Sequence, residues 1–261
     1  MSYKIEPGGL RLPRIDTEES YDALEHLTDD MKEYGKQNLS KVPPTEGWLM
    51  LGNNPDMQAF WQIMEREMTS LMEGDMQATP FGFMNLANKV IAHELKQEYM
   101  FGTEVACDTS AVPDHGLGYE GLIKSQMVDF PECDCWNDEE RLCIYFVKAC
   151  INFSMTDEIF QAAINSWGES MVVLRMSWIA YVWSMAMMQS AMHMRYDINK
   201  EIFPYGTWTP ENVKMTLGNL DGSYLQVREL WNNMNTFISG EKEARAKDAA
   251  EKKAKREHQA K

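Results

Sequence analysis

Residues 171–194, MVVLRMSWIAYVWSMAMMQSAMHM, decide how this chain folds. The segment is almost wholly apolar, yet it carries Arg175, Ser177, Tyr181, Ser184, Gln189 and His193. Such a stretch is either the core helix of a helical protein or a membrane span. Its uncharged run, from Met176 to Met192, sits at the short end of the roughly 20 residues that a bilayer requires. Ser177, Tyr181 and Ser184 fall at i, i+4 and i+7, so they share one stripe of a helix, and such a stripe can face a site. Arg175 at the entrance and the lack of flanking basic loops favour the core helix, and no membrane association is expected.

Working outward, the other segments are helical too. Pro55 after Asn53-Asn54 fits a first helical turn, and Met57, Phe60, Trp61, Met64, Met68, Leu71 and Met72 then repeat at helical spacing. A Thr79-Pro80-Phe81-Gly82 break precedes a second helix, about Met84 to Met100. From Thr103 to Val128, Pro113 and Gly116 predict a helix, a bend and a further short helix. Asn137 followed by Asp138, Glu139 and Glu140 is a helix start with an N-cap and acids in the first turn, and this helix is expected to run to Phe153. Thr156-Asp157-Glu158 starts another, which Gly168 ends. Upstream, a polar acidic helix is expected over about Glu18 to Tyr34, before the Pro43-Pro44 connection. No segment alternates like a half-buried strand, so the fold class is all-α. The organisation reads as an N-terminal arm (1–52), a helical domain (53–196), a C-terminal helical extension (197–239) and a charged tail (240–261).

The chain has 261 residues, 44% of them hydrophobic, enough for a large core. With 40 acidic against 25 basic residues the net charge is −15, which argues against a nucleic-acid partner. Five cysteines, an odd number, suit a reducing compartment. The first residues form no apolar signal-like run, so a cytoplasmic location is expected. The tail is rich in Ala, Lys and Glu with nothing to bury, and reads as a solvated helix.

The order of landmarks resembles the carboxymuconolactone decarboxylase and AhpD-like superfamily over about residues 84–195. Those landmarks are Glu104, then Gly116-Leu117, then Asn137-Asp138-Glu139-Glu140-Arg141-Leu142, then Phe153 to Phe160 (FSMTDEIF), then Gly168 and the helix with Tyr181. The resemblance implies an AhpD-like helical bundle with N- and C-terminal extensions. It also implies a small pocket in which an acid and a histidine pair on one helix are closed over by the last core helix. Glu104 stands where the family has its acid. Cys107 and Asp108 stand in place of the histidines, and Asn88-Lys89 in place of an Arg-Glu pair one helix earlier. The AhpD branch uses a Cys-x-x-Cys pair, which this chain lacks.

Glu104, Cys107 and Asp108 lie at i, i+3 and i+4 and share a helical face. Two carboxylates in a half-apolar pocket push their pKa values apart, giving one acid and one base. Decarboxylation or keto–enol proton transfer needs such a pair. His115 at the bend, or His93 on the preceding helix, is positioned to supply an imidazole, although His93 is expected first as an ordinary packed or surface histidine. Tyr181 and Arg175 are candidate anchors for a substrate carboxylate or enolate, with Ser177 beside them; a buried acid such as Glu104 is the alternative partner. Cys133 and Cys135 read as unpaired loop thiols, and neither a metal site nor a cofactor is expected. Most of the 21 methionines fall at core positions, as gap-fillers.

The leading expectation is a cofactor-independent lyase of the carboxymuconolactone decarboxylase type. It would decarboxylate or isomerise a small carboxylated, lactone or polyketide-like substrate, with Glu104 as acid or base and Asp108 or His115 as its complement. Alternatives are an AhpD-like thiol peroxidase or reductase using Cys107, and a non-catalytic oligomeric binding protein. A homo-oligomer (dimer, trimer or hexamer) is expected, and residues 10–50 are expected to act as a lid.

Overall fold

The computed structural model describes residues 9–42, 46–72, 81–97, 99–102, 104, 124–125 and 127–194. The expected helix-bend-helix over 103–128, including Cys107, Asp108 and His115, falls largely outside them. So do residues 195–239 and the charged tail.

Every described element is helical. In chain order they are α1 (Glu18–Asp22), α2 (Asp29–Asn38), α3 (Glu46–Leu51), α4 (Pro55–Leu71), α5 (Phe83–Glu94), α6 (Asp138–Ile151), α7 (Asp157–Trp167) and α8 (Glu169–Ala191), with 3₁₀ turns at Leu39–Lys41 and Met127–Asp129. Local chemistry sets most of the starts. The Asn54 side chain accepts from the Met57 amide, and Pro55 opens α4, where its missing N–H costs nothing. Asn137 and Glu140 form a reciprocal capping box on α6, and Thr156 caps α7. Gly168 joins α7 to α8 at φ +80°, a conformation that strains any residue with a Cβ.

Two expected helices are broken where tertiary contacts win. The acidic N-terminal segment forms α1 and α2 instead of one helix. Between them the chain turns to bury Leu24 and Leu27 with Ile15 and Tyr21, and Thr28 starts the second helix by accepting from the Met31 amide. The helix expected to reach Met100 stops at Glu94, because Lys96 adopts a left-handed φ of 50° and Gln97 N–H donates back to the Ala92 carbonyl at 2.8 Å. Helical geometry resumes at residue 99.

The main core lies where α5 packs between α6 and α8, with α7 closing one side and α4 the other. Leu86, Ala87, Val90 and Ile91 of α5 meet Ile144, Phe146 and Val147 of α6 and Val172, Trp178, Ile179 and Val182 of α8. α8 is the one described helix long and apolar enough to cross a bilayer. It packs against α4, α5, α6 and α7, while Val173, Trp183 and Met187 face outward at 59%, 39% and 52% exposure. The core helix is therefore covered along one face and open along the other.

The N-terminal arm is tied to both ends of the domain. The Ile15 amide donates to the Leu49 carbonyl, and Arg11 donates from its amide to Met192 and from its guanidinium to Ala191, at the end of α8. The His193 ring meets the Gly9 carbonyl at 3.0 Å. α2 then lies against α4, where Gly35 lets the Tyr21 ring approach; a Cβ at Gly35 would stand 2.6 Å from Tyr21 Cζ.

Candidate functional site

A cavity of about 140 Å³ opens between α3, α4, α5 and α8. Its described walls are Trp48 from α3, Glu65 from α4, Asn88 from α5, Tyr99, Met100 and Glu104 from the segment after α5, and Trp178, Tyr181, Val182, Met185 and Gln189 from α8. These residues meet for simple geometric reasons. Trp178, Tyr181, Met185 and Gln189 recur at helical spacing on the covered face of α8, and Glu65 lies on the inward stripe of α4 with Trp61, Met64 and Met68.

The polar groups form a chain. Trp178 Nε1 donates to Asn88 Oδ1 at 3.0 Å, and Asn88 Nδ2 donates to Glu104 Oε1 at 3.1 Å. One amide thus fixes one carboxylate oxygen and is itself fixed by an indole, so the Asn88 rotamer is set from both sides. Across the cavity, the Glu65 carboxylate forms no hydrogen bond or ion pair with another described residue. Burial first, and the charge of Glu104 second, push its carboxyl up from the ordinary 4.5 to about 7. The Tyr181 hydroxyl is pushed well above the usual phenol range by burial and then by Glu65, so it stays protonated and available as a donor. Its ring stacks in a row with Trp61 at 5.2 Å and Trp178 at 5.3 Å between centroids. Gln189 is 7% exposed, and its buried Oε1 has no hydrogen-bond partner among the described residues. Its Nε2 lies 3.3 Å from where a Cβ on Gly47 would stand, so the glycine leaves room for the amide.

Glu65 also lines a second, outer groove of about 500 Å³ between α2 and α4, together with Tyr34, Gly35, Asn38, Lys41 and Arg66. The same carboxyl therefore borders a wide surface groove on one side and the small inner cavity on the other.

The sequence-predicted residues separate. Glu104 and Tyr181 face the inner cavity together. Arg175 does not join them: six residues along a helix is about 120° around it, and the guanidinium faces a different cavity of about 200 Å³. There it lies over Phe83 at 4.4 Å and Trp167 at 4.3 Å, with Glu139 Oε1 3.8 Å from its Nη2. Ser177 is exposed and donates to the Val173 carbonyl at 2.9 Å, one turn back on its own helix; Ser184 does the same with Ala180. His93, in the last turn of α5, is buried with Nδ1 3.3 Å from Asp129 Oδ1 and its ring edge-to-face with Phe101. Lys148 joins that cluster, 3.1 Å from Asp129 and 2.8 Å from Glu94. Burial raises the Asp129 carboxyl, but the hydrogen bond and charge of His93 and the charge of Lys148 outweigh it and hold it at about 2.

Glu65, Asn88, Gln189 and the tryptophans were not read from sequence as site residues. Glu65 did leave a signal, an acid embedded in the apolar stripe of an amphipathic helix. Among the described residues no cluster of three or more His, Cys, Asp or Glu side chains forms a metal site. Cys133, Cys135, Cys143 and Cys150 are free thiols. Burial raises Cys135 far above the usual thiol range and Cys150 to about 11, so neither is an activated thiolate at neutral pH. Comparison of the chain with protein-family models, with curated proteins and with solved structures returned no match.

Proposed function

We propose that this protein is a cofactor-independent enzyme of the carboxymuconolactone decarboxylase-like, AhpD-like class, moving a proton on a small substrate. The observation that carries this reading is the convergence of Glu65, Glu104 and the Tyr181 hydroxyl on one small aromatic-walled cavity. Close carboxyls that cannot both ionise freely divide into an acid and a base, and a Glu poised near neutrality serves either role at little cost.

Keto–enol isomerisation uses the groups directly. The ionised carboxylate takes a proton from the carbon next to a carbonyl, leaving its electron pair in the new C=C bond. The protonated carboxyl or the Tyr181 hydroxyl donates to the carbonyl oxygen. The first carboxyl then returns its proton to that carbon or, where a C=C bond is conjugated with the enol, to the far carbon, as the O–H proton goes back to its donor; both protein groups regain their starting states. In decarboxylation the C–C bond electrons stay on carbon as CO₂ leaves, and the protonated carboxyl delivers its proton to that carbon. The Asn88 amide, held by Trp178, orients Glu104 for either step. No Lys, Arg or His is found among the described lining residues, which favours isomerisation over a reaction that must hold a departing carboxylate. The cavity has the volume of about five waters at ~30 Å³ each, so the reacting part of the substrate is small.

The test is a mass-spectrometric screen of lactones, β-keto acids and small ketones in D₂O, with wild type, Glu65→Gln and Glu104→Gln compared. Solvent deuterium uptake or CO₂ loss that falls by at least 100-fold in both variants is the expected result. An inactive wild type, or turnover indifferent to both substitutions, overturns the proposal.

A further inference from the structure

We propose that the inner cavity recognises a primary ammonium group on its ligand, held between the Glu65 carboxylate and the Gln189 amide oxygen and packed on the aromatic walls. This rests on the reading of that cavity as the substrate site, and it names the chemical class the substrate belongs to.

Three independent features point the same way. First, Gln189 Oε1 is a buried acceptor with no partner among the described residues, on a side chain 7% exposed that lines the cavity. An orphaned buried acceptor carries a desolvation cost that a bound donor removes. Second, Glu65, brought by α4 whereas Gln189 comes from α8, is a further acceptor lining the same cavity, also without a partner among the described residues. Third, Trp48, Trp178 and Tyr181 line the same cavity, and aromatic faces attract organic cations. A primary ammonium has three N–H donors and no acceptor, so it can satisfy Gln189 Oε1 and Glu65 together and leave one donor for a further oxygen. A carboxylate brings only acceptors; it would leave Gln189 Oε1 unsatisfied and set like charge beside Glu65. A hard divalent cation asks for six or more oxygens, and these walls offer rings instead.

Burial and the Glu104 charge both disfavour the Glu65 carboxylate, and an ammonium beside it would offset both. Gly47 has no Cβ, which leaves room for the Gln189 amide beside the arm.

The experiment is equilibrium binding of propylammonium and of propionate, similar in size and opposite in charge, to the full chain by calorimetry and saturation-transfer NMR. Saturable millimolar binding of propylammonium, at least tenfold tighter than propionate, is expected. Glu65→Gln and Gln189→Leu should each weaken propylammonium by fivefold or more. Equal or tighter binding of propionate, no saturable propylammonium binding, or affinity unchanged in both variants overturns the assignment. The preference of the wild type for one charge sign decides the matter even if a variant fails to fold. Because these ligands do not react, the outcome is separable from turnover. Ammonium binding without turnover defeats only the proton-transfer reading, and turnover without ammonium preference defeats only this one.

Discussion

Replacing Glu65 with Gln should stabilise the protein at alkaline pH and leave it nearly unchanged in acid. In the unfolded chain this carboxyl loses its proton around 4.5; in the folded protein it keeps it until about 7. Between those values the folded state binds more protons than the unfolded state, so wild-type stability falls as pH rises, and it levels off above 7. The gap of 2.5 units (7 minus 4.5), at about 1.36 kcal/mol each, sets the loss at about 3 kcal/mol. Gln matches the neutral acid in shape and cannot ionise. At pH 4 the variant and the wild type should therefore unfold together. At pH 8 the variant should be about 3 kcal/mol more stable, on the order of 10 °C in melting temperature for a protein of this size. Urea unfolding at pH 4, 6 and 8 measures this. Since Glu104 is the second cause of the shift, Glu104→Gln should move the wild-type transition toward lower pH. A stability difference between Glu65→Gln and wild type that does not change from pH 4 to pH 8 would refute the burial assigned to this carboxyl.

Asp129 behaves in the opposite sense. Its lowered pKa contributes stability above the ordinary 3.8 that is lost as pH falls toward 2, so Asp129→Asn should flatten the acid limb of the stability curve in urea titrations. Gly35→Ala should destabilise the arm by about 1–3 kcal/mol, because the added Cβ meets the buried Tyr21 ring, and limited proteolysis before and after substitution would show the arm opening. Asn137→Ala removes half of the capping box on α6 and should cost about 1 kcal/mol by thermal melting, with no change in ligand binding.

The helices were legible where their signals are local. Asn137 with Glu140, Thr156, Pro55 and Gly168 announce their own termini, because a cap or a positive φ depends on neighbours in sequence. The breaks after Asp22 and Glu94 were not legible. The first exists to send Leu24 and Leu27 into a cluster with Ile15, and the second puts a lysine in a left-handed conformation that nothing in its residue type demands. In the site, Glu104 and Tyr181 stand out in the order of landmarks along the chain, and both line one cavity. Arg175 was grouped with Tyr181 by proximity in sequence, and the helical repeat turns it to Phe83 and Trp167 instead. Asn88 was noticed only as a replacement for a family residue, whereas its position between Trp178 and Glu104 is a three-helix fact that spacing does not contain. Gln189 stood in plain view in the apolar run, but its burial depends on α3, which comes from the far end of the chain.

The strap between residues 9–15 and the end of α8 bears on the order in which the protein can be completed. Arg11 and Gly9 find their partners at Ala191, Met192 and His193, so the earliest described residues must wait for some of the latest before they can dock. Contacts this distant in sequence form slowly, because a long loop must close before they reward it. Trp48 and Gly47 are carried by that same arm. On a ribosome, the helical core can therefore assemble from α5, α6 and α7 as they emerge, while the wall beside Gln189 stays open until α8 has been released. A nascent chain stopped before residue 189 should hold only the packing among α5, α6 and α7 and have no chamber.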